Sequence, residues 1–246
     1  MIRIAAGVDR PRRWREPPVV RGLCRRWRLG ALRRGGRRLV FIAGCARSGT
    51  SLLKQLMAVF GDTAVCPREQ PAWHLLEMAG APEATLVVKR TADCHRTLHR
   101  LPAAIDLVYC VRHPYDCLTS SHPLSVHLRP YHVTRERWLA EWQALHRLRF
   151  RQPGRRIVFV RYEDLVTEPD AVQAAVATQL GLAANHTFSR NPMGIEIHPA
   201  SLAKWRTRPE LHRYLAGLDA AWREEIGRFC DMFGYDATRL EESRPG

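Results

Sequence analysis

Lysine is almost missing from this 246-residue chain: of its 39 basic residues, only Lys54, Lys89 and Lys204 are lysines and the rest are arginines. Acidic residues are also few, 24 in all, which leaves a formal charge of +15. The seven cysteines contain no C-x-x-C pair and their number is odd. A reducing compartment is therefore expected, and no disulfide framework. No stretch approaches the roughly eighteen apolar residues of a membrane span. The N-terminal segment lacks the continuous apolar core of a secretory signal. A hydrophobic content of 46% excludes a wholly disordered chain.

The charge is unevenly placed. Residues 1–38 hold thirteen arginines against Asp9 and Glu16, a net +11, leaving +4 for everything after them. That is a near-neutral domain behind a basic leader, which argues against a uniformly basic nucleic-acid binder. Within the leader, Val20, Leu23 and Trp27 fall on one helical face among arginines. Two readings stay open: a solvated, poorly ordered extension, or a basic amphipathic element lying on an anionic membrane surface.

From residue 38 the pattern is that of a folded domain. Leu39–Ala43 is a short apolar run rich in β formers, followed at Thr50 by helical spacing through Leu52, Leu53, Leu56, Met57 and Phe60. Further strands are predicted at Thr85–Lys89, Asp106–Val111 and Arg156–Arg161. Helical patterns are read at Ala72–Met78, Pro114–Val126, Thr134–Arg149, Glu168–Leu180, Leu211–Leu218 and Ala220–Phe233. Four apolar strands alternating with helices predict an α/β, P-loop-like three-layer domain, a mainly parallel central sheet flanked by helices. The boundaries expected are 1–37 for the leader and 38–240 for the domain. Residues 183–203 have no periodicity and read as a long loop.

The segment Gly44-Cys45-Ala46-Arg47-Ser48-Gly49-Thr50-Ser51 joins the first strand to the first helix. Backbone N–H groups at such a junction cradle an anion, with hydroxyls and one loop arginine to assist. The spacing is that of the nucleoside-triphosphate loop, but Thr50 stands where that loop has its lysine. The missing lysine, and the lack of a strand-end aspartate suited to Mg²⁺, argue against ATP or GTP hydrolysis. Asp116 and Asp164 are the weak candidates.

Arg47-Ser48-Gly49-Thr50-Ser51 resembles the 5′-phosphosulfate loop of the sulfotransferases that use 3′-phosphoadenylyl sulfate (PAPS). Three further segments follow in the family's order. Val111-Arg112-His113-Pro114 through Ser120 is similar to the element whose arginine and serine grip the donor's 3′-phosphate. Arg161-Tyr162-Glu163-Asp164-Leu165 resembles a chiefly structural segment that sets a tyrosine near the nucleotide. Ser201-Leu202-Ala203-Lys204-Trp205-Arg206 is similar to the Lys-Trp element of protein-tyrosine sulfotransferases and their bacterial relatives. The likeness covers roughly residues 38–236 and leaves out the leader.

The resemblance implies that Arg47, Ser48, Gly49, Thr50 and Ser51 hold the 5′-phosphosulfate, that Arg112 and Ser120 hold the 3′-phosphate, and that Tyr162 and Lys204 bound the nucleotide. Lys89 matches the family's strand-end lysine and, with Arg47, would stabilise the transition state. Where small-molecule sulfotransferases place a histidine base after that lysine, this chain has Thr91, so the role passes to Glu69, in the position of the carbohydrate and tyrosine enzymes' glutamate. The rival reading of Glu69 is a pair with Arg68 or a cap for the helix near Pro71. His95 and His99 are spaced i, i+4 but lack a third metal ligand, and no metal is expected.

The activity implied is transfer of a sulfonate from PAPS to an acceptor hydroxyl on a sugar, glycolipid, natural product or tyrosine, releasing adenosine 3′,5′-bisphosphate. The alternatives are a nucleoside or sugar-phosphate kinase and a non-enzymatic basic protein associated with membrane or nucleic acid. The partner expected is a small-molecule, glycan or peptide acceptor, and not nucleic acid. The location expected is cytoplasmic, with the leader free to touch a membrane surface.

Overall fold

Five short strands form the centre of this computed structural model, which describes residues 18–123 and 126–236. They are β1 (Arg38–Gly44), β2 (Thr63–Glu69), β3 (Thr85–Lys89), β4 (Asp106–Val111) and β5 (Ile157–Arg161). All are parallel, in the order β2-β3-β1-β4-β5. Parallel strands need crossover connections, and these cover both faces of the sheet, so each inner strand is apolar on both sides. In β1, Leu39, Phe41 and Ala43 enter one core while Val40 and Ile42 enter the other. The three-layer α/β architecture expected from the sequence is the one observed.

The helices are α1 (Pro18–Arg34), α2 (Thr50–Leu56), α3 (Pro114–Leu118), α4 (Arg135–Arg151), α5 (Tyr162–Thr167), α6 (Pro169–Leu180), α7 (Lys204–Thr207), α8 (Pro209–Ala216) and α9 (Ala220–Phe233). Leu53 and Leu56 of α2 and Val176 and Leu180 of α6 fill the Val40 core. Trp138 and Trp142 of α4 fill the opposite core and pack edge-on against Phe229 of α9. Local chemistry fixes several ends. The Thr134 hydroxyl accepts from the Arg137 N–H at the start of α4, and the Asp219 carboxylate accepts from the Trp222 N–H at the start of α9.

Three features depart from the sequence reading. β2 is a fifth strand, at the sheet edge, and it contains Pro67. The proline is tolerated because the pairing with β3 is irregular between Val65 and Glu69. α3 stops at Leu118 instead of running to Val126, since Pro123 cannot supply the hydrogen bond a helix needs there and disfavours the helical conformation at His122. Leu124 and Ser125 lie outside the described residues.

The third departure is in the leader. Residues 18–34 are helix, and α1 is tied to the domain. Leu29 is fully buried in the core, a burial worth about 2 kcal/mol. Arg33 forms an ion pair with Asp106 at 2.7 Å. Residues 18–34 of the expected leader thus contact residues of the expected domain. Residues 1–17 and 237–240 of the expected segments lie outside the described residues.

β1 has β3 on one side and β4 on the other: the connection after β1 runs to the β2–β3 side, and the one after β3 crosses to β4. In an open parallel sheet that switch point leaves a crevice beyond the strand ends, where ligands bind. The loop opening at Gly44 sits there.

Candidate active site

The loop from Gly44 to α2 is built by close packing. A Cβ at Gly44 would lie 2.4 Å from the Cys110 carbonyl oxygen, and one at Gly49 would lie 2.5 Å from Cδ2 of Tyr162. Gly49 also has φ +88°, a conformation that favours glycine. Tyr162, at the start of α5, thus supports the loop from below. Ser48 is buried, and its hydroxyl donates to the Cys45 carbonyl at 2.7 Å, inside the loop. The loop's exposed hydroxyl belongs to Ser51.

Thr50 occupies the position of the missing lysine and is itself buried. A lysine reaches the loop from the neighbouring strand instead. Lys89, the last residue of β3, donates from Nζ to the Ser51 hydroxyl at 2.6 Å and pairs with the Glu69 carboxylate. The register explains the pairing, since Glu69 at the end of β2 lies opposite Lys89. Lys89 is 7% exposed at its side chain and Glu69 53%, so the carboxylate opens to solvent while the ammonium faces the loop. Glu69 does not pair with Arg68, nor does it cap the 3-10 helix Ala72–Gly80; Lys89 takes it.

The β4 side of the loop carries the guanidinium groups. Arg47, with φ +71°, donates from Nε to the Ser120 hydroxyl at 2.9 Å. Arg112, just past β4, donates to the Arg47 carbonyl at 3.0 Å and lies 4.3 Å above the Tyr162 ring. Burial, together with the charge of Arg112, holds the Arg47 guanidinium below its ordinary pKa. Two cations brought together in this way gain from an added anion.

Arg47, Arg112, Ser120, Tyr131, Tyr162 and Lys204 line a cavity of about 410 Å³. Lys204 is exposed at its rim. Two clefts of about 660 and 600 Å³ lie elsewhere and do not touch the loop.

The Lys-Trp element is anchored by residues given no site role in the sequence reading. The Asp116 carboxylate accepts from the Ala203 N–H at 3.0 Å, holding Ala203 at φ +51°. Trp205 is buried, stacked on His113 at 5.3 Å and edge-on to Tyr115 at 5.0 Å. Burial raises the Asp116 carboxyl and lowers the His113 imidazole. The signal for these roles was His113-Pro114-Tyr115-Asp116 beside Arg112. The link from Asp116 to Ala203, 87 positions later, needs the fold.

The Glu163 carboxylate accepts from the His113 N–H at 2.9 Å and from the Tyr235 hydroxyl at 2.7 Å. His95 lies 3.8 Å from Glu141, and no cluster suited to a metal occurs among the described residues.

Residues 92–186 match the model described as the Sulfotransferase family. That span holds Arg112, Ser120 and Tyr162 but neither the loop nor Lys204. No curated protein matches the chain by sequence. Among solved structures, the chain is similar to the sulfotransferase domain from the curacin biosynthetic pathway. The identity is 18% and the TM-score 0.54, over 81% of this chain and 98% of that one. It is also similar to sulfotransferase STF9 from Mycobacterium avium, 13% identical with a TM-score of 0.50, over 87% of this chain and 83% of that one. At these identities the structures establish the fold. Residues 92–186 thus carry a match to the Sulfotransferase family, in line with the resemblance read in the sequence, and the chain has the fold of the solved sulfotransferases.

Proposed function

We propose that the chain transfers a sulfonate group from PAPS to an acceptor hydroxyl. The observation that carries the reading is Lys89, which spans the loop hydroxyl of Ser51 and the carboxylate of Glu69. A cation at the loop and a solvent-facing carboxylate beside it are what transfer onto a hydroxyl requires: charge compensation and a proton acceptor.

The donor set fits such a nucleotide. Backbone N–H groups, the Ser51 hydroxyl and Lys89 stand at one end of the loop. Arg47, Arg112 and Ser120 stand at the other, with the 410 Å³ cavity between loop and Lys204. The donor supplies an activated sulfonate. Glu69 takes the proton of the acceptor hydroxyl as the new oxygen–sulfur bond forms. Lys89 and Arg47 offset the charge that grows on the bridging oxygen as the old sulfur–oxygen bond breaks, releasing adenosine 3′,5′-bisphosphate. Arg112 and Ser120 hold the 3′-phosphate, and Lys204 closes the far side. The arrangement asks for no metal ion. The exposed Glu69 edge suits a sugar, glycolipid, natural-product or tyrosine hydroxyl.

Thermal denaturation with adenosine 3′,5′-bisphosphate, compared with ATP–Mg²⁺, tests the donor. A rise in Tm with the bisphosphate supports the proposal. A rise with ATP–Mg²⁺ alone favours the kinase reading and overturns it.

A further inference from the structure

We infer that α1 is a docking surface for an anionic lipid membrane, independent of the nucleotide site. The helix has two apolar faces, and one of them is unused. Leu29 points inward and is fully buried, and Arg25 lies over the Trp73 ring at 5.7 Å on the same side. At 100° per residue, Leu23 and Trp27 share the opposite side. They are 63% and 69% exposed, so the structure leaves a tryptophan and a leucine side by side in water.

The surroundings define the partner. α1 contains six arginines and no acidic residue. Arg26 and Arg28 flank the Leu23–Trp27 stripe on either side, and both are exposed. Arg26 donates to the Arg100 carbonyl, joining the helix to a cleft that also holds exposed Arg100, Arg151 and Arg156. Asp106, which lines the same cleft, is already engaged by Arg33 and Arg38, and Glu77 of the 3-10 helix packed on α1 pairs with His74.

An apolar stripe edged by cations and rigidly fixed to a domain is the form of a helix lying in the plane of a lipid interface. The tryptophan and leucine enter the headgroup boundary while the arginines meet anionic headgroups. A nucleic acid would use the arginines but not Leu23. A second copy of the chain would set arginine against arginine.

Flotation of the full-length chain with phosphatidylcholine vesicles, with and without phosphatidylserine, tests this. Binding is expected only with phosphatidylserine, weakening as salt rises. Leu23→Ser with Trp27→Ser is expected to lower the partition at least about tenfold while Tm is retained, since both side chains are exposed. Arg26→Gln with Arg28→Gln reads the charge contribution separately and should flatten the salt dependence. No binding to phosphatidylserine vesicles overturns the inference, as does undiminished binding by the Leu23/Trp27 variant. It is also overturned if that variant loses tighter binding to duplex DNA, or loses self-association seen by sedimentation.

Discussion

Lys89 and Glu69 form an ion pair across the ends of adjacent parallel strands, β3 and β2, with the Lys89 ammonium also donating to Ser51. The pair places a proton acceptor and a fixed positive charge within reach of one loop. Glu69→Gln keeps the size of the side chain and removes its basicity. It should leave affinity for adenosine 3′,5′-bisphosphate within about twofold and lower kcat by roughly a hundredfold to ten-thousandfold. Calorimetry and a sulfonate-transfer assay separate the two effects, and full turnover in the variant would remove Glu69 as the base.

Ser120 accepts from the Arg47 guanidinium, and the proposed function sets its hydroxyl at the nucleotide's 3′-phosphate. Ser120→Ala should weaken binding of adenosine 3′,5′-bisphosphate by about 1 kcal/mol, roughly fivefold. Adenosine 5′-phosphate, which lacks the 3′-phosphate, should bind the variant and the parent equally. Titration calorimetry with both ligands is the check, and an equal loss for both would move Ser120 away from the 3′-phosphate.

Gly49 has neither the space nor the backbone conformation for a side chain. Gly49→Ala forces a Cβ to within 2.5 Å of the Tyr162 ring at φ +88°. Loss of about 2 kcal/mol or more of stability is expected. Nucleotide binding should fall with it, because Tyr162 also underlies Arg112. Urea unfolding measures the first and thermal shift with the bisphosphate the second. The paired change Gly49→Ala with Tyr162→Ala should recover part of the stability and none of the binding.

His113 predicts a pH dependence with a definite sign. Burial holds its pKa below the ordinary 6.5. Its Nδ1 accepts from the Tyr115 N–H, and its Nε2 donates to the Asp236 carbonyl, so the neutral ring is the one the fold uses. The native state then binds the proton less tightly than the unfolded chain. The stabilisation is complete above 6.5 and is lost as pH falls from there through the lower folded value. Urea midpoints followed from pH 7.5 to 5 should drop, and His113→Gln should show a shallower drop than the parent. Equal slopes would assign the effect to other histidines.

The sequence made the sheet legible because buried parallel strands are unbroken apolar runs, as in β1 and β4. It hid β2, since an edge strand with Pro67 and exposed Arg68 and Glu69 carries no such run. Arg47, Arg112 and Ser120 were legible as a motif, and the fold brings them into contact. Three relationships were not readable. The Ser48 hydroxyl turns inward, which depends on how the loop closes. Asp116 holds Ala203, a contact made across most of the chain. α1 packs on the core through Leu29 and, beside it, Leu32, and the arginine-rich composition around them shows neither contact.

The order of the strands separates two kinds of recognition. Everything that would hold the nucleotide's 3′ side comes from β4 and the segments after it, whereas Glu69 and the 3-10 helix that follows it belong to the β2–β3 edge. The two sets meet only at the loop leaving β1. On the proposed function, exposed positions within residues 70–81 bear on the acceptor and stand apart from the donor's 3′ side, whereas the fully buried Leu75 belongs to the core.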